Sequence, residues 1–126
     1  MLGTNETALG LYELHINGKR VGNDLLTPGW TAYDKRLAFQ TYSVGDLLKP
    51  GRNVIDIWLA DGWYRSQMMW KQNPIYNTWG NEIAAMAELR DGPDDTAKVI
   101  VKTDATWSSG TLPILKSGIY FGEVYD

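Results

Sequence analysis

Apolar and polar positions alternate over short runs, and Gly, Pro and Asn break the runs at close intervals. From Leu11 to Ile16, Tyr12, Leu14 and Ile16 share one side and Glu13 and His15 the other, the pattern of a half-buried strand. Asn17-Gly18 follows, a dipeptide that adopts the positive φ angles of a two-residue hairpin turn, so Lys19 to Val21 reads as the returning strand. Gly22 to Tyr33, with Pro28 and Gly29, reads as a long loop. Arg36 to Val44 is a second extended run, with Leu37, Phe39, Thr41 and Ser43 on one face and Tyr42 and Val44 on the other. Asp46-Leu47-Leu48 predicts one helical turn, ended by Lys49-Pro50-Gly51-Arg52-Asn53.

Val54 to Ala60 carries the strongest strand pattern, with Ile55, Ile57 and Leu59 toward a core and Trp58 on the opposite side, where it needs a cover and is expected to be buried. Ile83 to Leu89 contains good helix formers. Its shortness, and the turn Asp91-Gly92-Pro93-Asp94-Asp95 leading into the alternating Lys98 to Lys102, make it a strand. Short strands separated by Gly and Pro turns predict an all-β sandwich. With 126 residues the chain is long enough for one core and too short for two ordinary domains, so residues 1–126 are read as a single unit.

Charge narrows the partners. The chain has 12 Lys and Arg against 15 Asp and Glu, a net charge of −3, which argues against a phosphate-backbone binder. No run approaches the roughly 18 apolar residues of a membrane helix, so neither nucleic acid nor a membrane is an expected partner. The absence of cysteine removes disulfides, thiolate nucleophiles and zinc-thiolate sites. His15 is the only histidine and alternates within a strand, which suits a solvent-side or paired residue better than a catalytic base. The acidic residues fall mainly at turns, so intrinsic catalysis is not expected. The aromatic count is uneven: 6 Trp and 7 Tyr against 2 Phe. Trp and Tyr combine a flat apolar body with a polar handle and suit half-wet surfaces such as sugar sites.

Several motifs now form one pattern. Ala8-Leu9-Gly10-Leu11-Tyr12-Glu13-Leu14, Ile16-Asn17-Gly18-Lys19-Arg20-Val21-Gly22, Thr27-Pro28-Gly29-Trp30-Thr31, Gln40-Thr41-Tyr42, Asp46-Leu47-Leu48-Lys49-Pro50-Gly51, Asp61-Gly62-Trp63-Tyr64-Arg65 and Gly122-Glu123-Val124-Tyr125-Asp126 follow in order. Together they resemble the amino-terminal accessory domain of bacterial α-L-rhamnosidases. The resemblance implies a jelly-roll β-sandwich, galactose-binding-domain-like, attached to a larger glycoside hydrolase whose catalytic carboxylates lie in a separate (α/α)6 barrel. It implies an incomplete domain, an excised part of a longer polypeptide. An outer strand missing from the sandwich predicts disorder or self-association through an open sheet edge near residues 1 to 8.

Some members of that family carry a calcium-dependent rhamnose site in the loop after the Asn-Gly hairpin, and the matching positions are Asn23 and Asp24. Their order is the reverse of the acid-amide pair of binding members, which displaces the metal's charge partner by one residue. Calcium would use hard oxygens of the amide, the carboxylate, backbone carbonyls and sugar hydroxyls. A second loop, Asp61 to Gly80, holds Trp63, Tyr64, Trp70, Asn73, Asn77 and Trp79, rings beside amides as a saccharide site requires. The sugar-contact candidates are therefore Asn23, Asp24, Trp63, Tyr64, Asn73 and Asn77. The same loop also reads as packing, and Met68-Met69-Trp70 as an interdomain contact. Trp30 is expected to anchor its loop into the core, and Trp107 to plug a strand end. Two functions follow: a module binding rhamnose-containing glycans, or a scaffold packed on the catalytic and other domains of its own polypeptide.

Overall fold

A computed structural model describes residues 2–69, 72–92, 94 and 96–126. Trp70 and Asp95 lie outside the described residues.

Among the described residues the chain forms nine strands and two single turns of helix. A four-stranded antiparallel sheet has the order β4-β1-β6-β7, with β1 Leu2–Leu9, β4 Gln40–Ser43, β6 Ala84–Asp91 and β7 Lys98–Lys102. A three-stranded sheet has the order β3-β2-β5, with β2 Leu11–Ile16, β3 Lys19–Arg20 and β5 Ile55–Ala60. The strands β8 Ile114–Gly118 and β9 Gly122–Tyr125 form a separate hairpin. The fold is an all-β sandwich. Among the described residues no helix is long and apolar enough to cross a membrane.

The core lies between the two larger sheets. Tyr12, Leu14 and Ile16 point into it from β2, Ala8 from β1 and Leu89 from β6, with Val21 and Val44 beside them. Ile55, Ile57 and Leu59 close the β5 side, so the period-2 reading of both strands holds. Asn17 and Gly18 take φ 52° and 78° in the predicted hairpin. Asn17 does more than turn the chain. Its Nδ2 donates to Leu47 O at 2.9 Å and to Asn53 Oδ1 at 2.9 Å, and its Oδ1 accepts from Val54 N at 3.0 Å.

Residues 2–8 correct the expectation of disorder at an open edge. β1 runs along β4 on one side and β6 on the other, so both its ladders are filled. Its inward positions are Thr4, Glu6 and Ala8, and Glu6 is only 2% exposed. Burial pushes the Glu6 carboxyl up to about 7, a rise that the nearby Thr4 hydroxyl only partly offsets. Neither Glu6 oxygen has a hydrogen-bond partner among the described residues.

Two tryptophans also depart from expectation. Trp58 is 41% exposed, with the His15 ring beside it, 4.3 Å away centroid to centroid. His15 in turn lies 3.2 Å from Glu13 Oε2, a paired strand residue as expected. Trp30 is 54% exposed and does not anchor its loop. Thr27 does so instead: its carbonyl accepts from Tyr12 N at 2.8 Å and its hydroxyl donates to Tyr12 O at 2.7 Å.

Candidate functional site

Two loops meet at one end of the sandwich. The first is 21–39, between β3 and β4; the second is 61–83, between β5 and β6. The second loop opens with one helical turn, α1 (Gly62–Arg65), and folds back on itself through a Met68–Ile75 bridge. Its return is held by Asn77 N donating to Arg65 O at 3.0 Å and Trp79 N donating to Tyr64 O at 3.2 Å.

Aromatic rings join the two loops. Tyr33 meets Tyr64 edge-on at 5.1 Å and Trp79 at 5.6 Å. Trp30 lies nearly parallel to Trp63, with ring centroids 6.1 Å apart and planes 10° from parallel. The Tyr33 group is largely covered, whereas Trp30 presents half its surface to solvent. Among Trp63, Tyr64, Met68 and Met69, only Met69 is exposed, at 55%, so this part of the loop largely covers itself.

The six candidate residues do not gather into one site. Asn23 and Asp24 are exposed in the first loop. Tyr42 Oη donates to Asp24 Oδ2 at 2.7 Å, and Arg20 donates to Asp24 O at 2.6 Å. Burial, then the hydrogen bond to Asp24, pushes the Tyr42 hydroxyl up to about 12. Among the described residues no group of three acidic or histidine side chains gathers here or elsewhere. Calcium at Asn23-Asp24 would thus depend on a single carboxylate, with backbone carbonyls and sugar hydroxyls completing the shell. Trp63 is the half-buried partner of Trp30 in the stack, and Tyr64 belongs to the covered ring group. Asn73 is exposed at the tip of the second loop.

Asn77 lies elsewhere, in an open cleft of about 450 Å³ between the second loop and the β8–β9 hairpin. Tyr76, Asn81, Lys116 and Phe121 line it with Asn77, and an ion pair forms its floor: Arg65 donates to Asp61 Oδ1 at 2.8 Å through Nε and at 2.6 Å through a terminal nitrogen. Sequence reasoning missed Asn81, Lys116 and Phe121. Asn81 directly follows the loop that was singled out, but Lys116 and Phe121 arrive from a hairpin distant in sequence, and no local pattern marks them.

The model of the α-L-rhamnosidase N-terminal domain matches residues 5–126. The chain belongs to this family. The chain is 38% identical over 120 residues to an α-L-rhamnosidase of Streptomyces avermitilis, covering 95% of this chain and 11% of that protein. An α-L-rhamnosidase of Formosa agariphila is 37% identical over 123 residues, 95% of this chain and 13% of its own. The crystal structure of the S. avermitilis enzyme complexed with L-rhamnose superposes with a TM-score of 0.85 at 37% identity, over 99% of this chain and 12% of that one. The native Aspergillus terreus enzyme gives 0.88 at 38% identity, over 98% and 14%. The chain thus spans a small part of the length of the relatives it matches.

Proposed function

We propose that this chain is a non-catalytic carbohydrate-binding domain of an α-L-rhamnosidase, and that it takes terminal α-L-rhamnose at the loop end of the sandwich. The observation that carries the reading is the Trp30–Trp63 stack with its half-exposed outer ring. A 6-deoxy sugar has an apolar C–H face and a methyl group that lie flat on such a ring, while its hydroxyls reach the polar groups of the surrounding loops. That an S. avermitilis relative was solved with L-rhamnose supports the choice of sugar.

Calorimetric titration of the domain with L-rhamnose, once in calcium and once in chelator, tests the proposal. Heat of binding is expected with the wild type; no heat in either buffer would sink it. Asp24→Ala should remove any calcium-dependent part, and an unchanged calcium response would move the metal away from that loop.

A second reading has its own support. Leu37, Phe39 and Met86 form an exposed apolar patch on the outer face of the four-stranded sheet, which suits a scaffold packed against other domains of the polypeptide. Limited proteolysis of the full-length enzyme with Phe39→Ser would reveal a loosened domain if that face is a contact.

A further inference from the structure

The cleft beside Asn77 divides into groups that are committed and groups that are not. Arg65 is held by Asp61, and its remaining terminal nitrogen donates to Asn81 O at 3.2 Å. Gln67 accepts from Tyr76 Oη at 3.1 Å. These groups form a neutral, self-satisfied floor. The rest of the lining differs. Among the described residues the side-chain amides of Asn77 and Asn81 make no hydrogen bond, and Lys116 has no carboxylate partner. The Lys116 ammonium is held over the Phe121 ring, 4.2 Å from its centroid, so the cation is positioned and its charge is not neutralised. Asn77 is itself fixed in the left-handed region at φ 54°, a conformation that short polar side chains tolerate.

We infer that this cleft is a second saccharide subsite, specific for an acidic sugar, with Lys116 receiving the carboxylate of a uronic acid residue and the Asn77 and Asn81 amides receiving its hydroxyls. The chemistry of the free groups sets the class. Asp61, Arg65 and Lys116 sum to one positive charge, which selects an anion. Two amides able both to donate and to accept match vicinal hydroxyls, and the Phe121 and Tyr76 rings supply apolar wall for the sugar ring. The volume of about 450 Å³ is that of a one- or two-sugar site. The inference rests on the reading of this domain as saccharide-binding, and it extends the ligand from a neutral deoxy sugar to one beside a uronate.

The test is a 15N–1H spectrum of the domain titrated separately with galacturonate, galactose, acetate and L-rhamnose at low salt. Galacturonate is expected to move the amides of Asn77, Asn81 and Lys116, with galactose and acetate each weaker. Lys116→Gln should weaken galacturonate by about tenfold, as for loss of a charge-assisted hydrogen bond, and leave L-rhamnose unchanged. Asn77→Gly keeps the backbone conformation while deleting the amide, and should weaken it as well. Equal shifts with acetate would reduce the cleft to an anion site and overturn the inference. So would shifts elsewhere, or none. L-rhamnose binding in that case would leave the proposed function standing, whereas galacturonate binding without rhamnose binding would overturn the proposed function alone.

Discussion

The indole of Trp30 lies over that of Trp63, 10° from parallel, and joins two loops that are far apart in the sequence. Only Trp63 is inherited from a short helical turn; Trp30 reaches it from a loop pinned at Thr27. Trp30→Ala should therefore abolish measurable L-rhamnose binding while costing about 1 kcal/mol of stability, the scale of an aromatic pair. Quenching of intrinsic fluorescence by rhamnose would read the first effect and urea denaturation the second. Retained affinity in the variant would move the sugar away from this stack.

Gly80 lies under the Tyr64 ring. A Cβ there would meet Tyr64 Cζ at 2.7 Å, and the ring has little freedom to swing because its flank is packed on Tyr33. Gly80→Ala should destabilise the domain by about 1–3 kcal/mol through overpacking. Tyr64→Leu should relieve most of that cost in the double variant, a coupling that a denaturation cycle measures. Additive effects would mean that the ring and the glycine do not meet.

Glu6 makes stability depend on pH. Below its ordinary value of 4.5 both folded and unfolded chains carry the proton, and no penalty arises. Between 4.5 and about 7 the unfolded chain releases a proton that the folded one keeps, so stability falls as pH rises and levels off above 7. The full difference is on the order of 3 kcal/mol. Urea midpoints of wild type and Glu6→Gln across pH 4.5 to 8 should diverge in this window, with the variant the more stable at high pH. Parallel curves would refute a buried, unpartnered carboxyl.

Asn17→Gly separates two roles of one residue. Glycine keeps the positive φ of the hairpin turn but deletes the bonds to Leu47, Asn53 and Val54. A loss of about 2–3 kcal/mol is expected at roughly 1 kcal/mol per bond, read by thermal unfolding. A neutral outcome would make Asn17 a turn residue only.

The elements legible in the sequence are those whose cause is local. Tyr12, Leu14, Ile16 and Ile55, Ile57, Leu59 alternate because one face of each strand is core, and Asn17-Gly18 turns because its backbone permits it. β1 was illegible because Thr4 and Glu6 occupy inward positions where alternation would need apolar residues; pairing with β4 and β6 on both sides makes it a central strand all the same. Only the first two residues of the returning strand and the last four before Val44 form ladders, since strand ends depend on partners outside the segment. The same holds for the candidate sites. Loop composition pointed to rings and amides, and Asn77 indeed lines a cleft, but its remaining wall comes from Lys116 and Phe121 on a hairpin about 40 residues later.

The amino-acid sequence by itself determined the strand-rich class, the turn positions, the two loops and the family, because periodicity, turn chemistry and motif order are properties of contiguous residues. Tertiary structure alone decided that Trp30 and Trp58 face solvent, that Asp24 is held by Tyr42, and that Asn77 and Lys116 line one cleft. Exposure and the company of a side chain depend on what is layered over it, and in a sandwich the residues that meet come from strands and loops tens of residues apart.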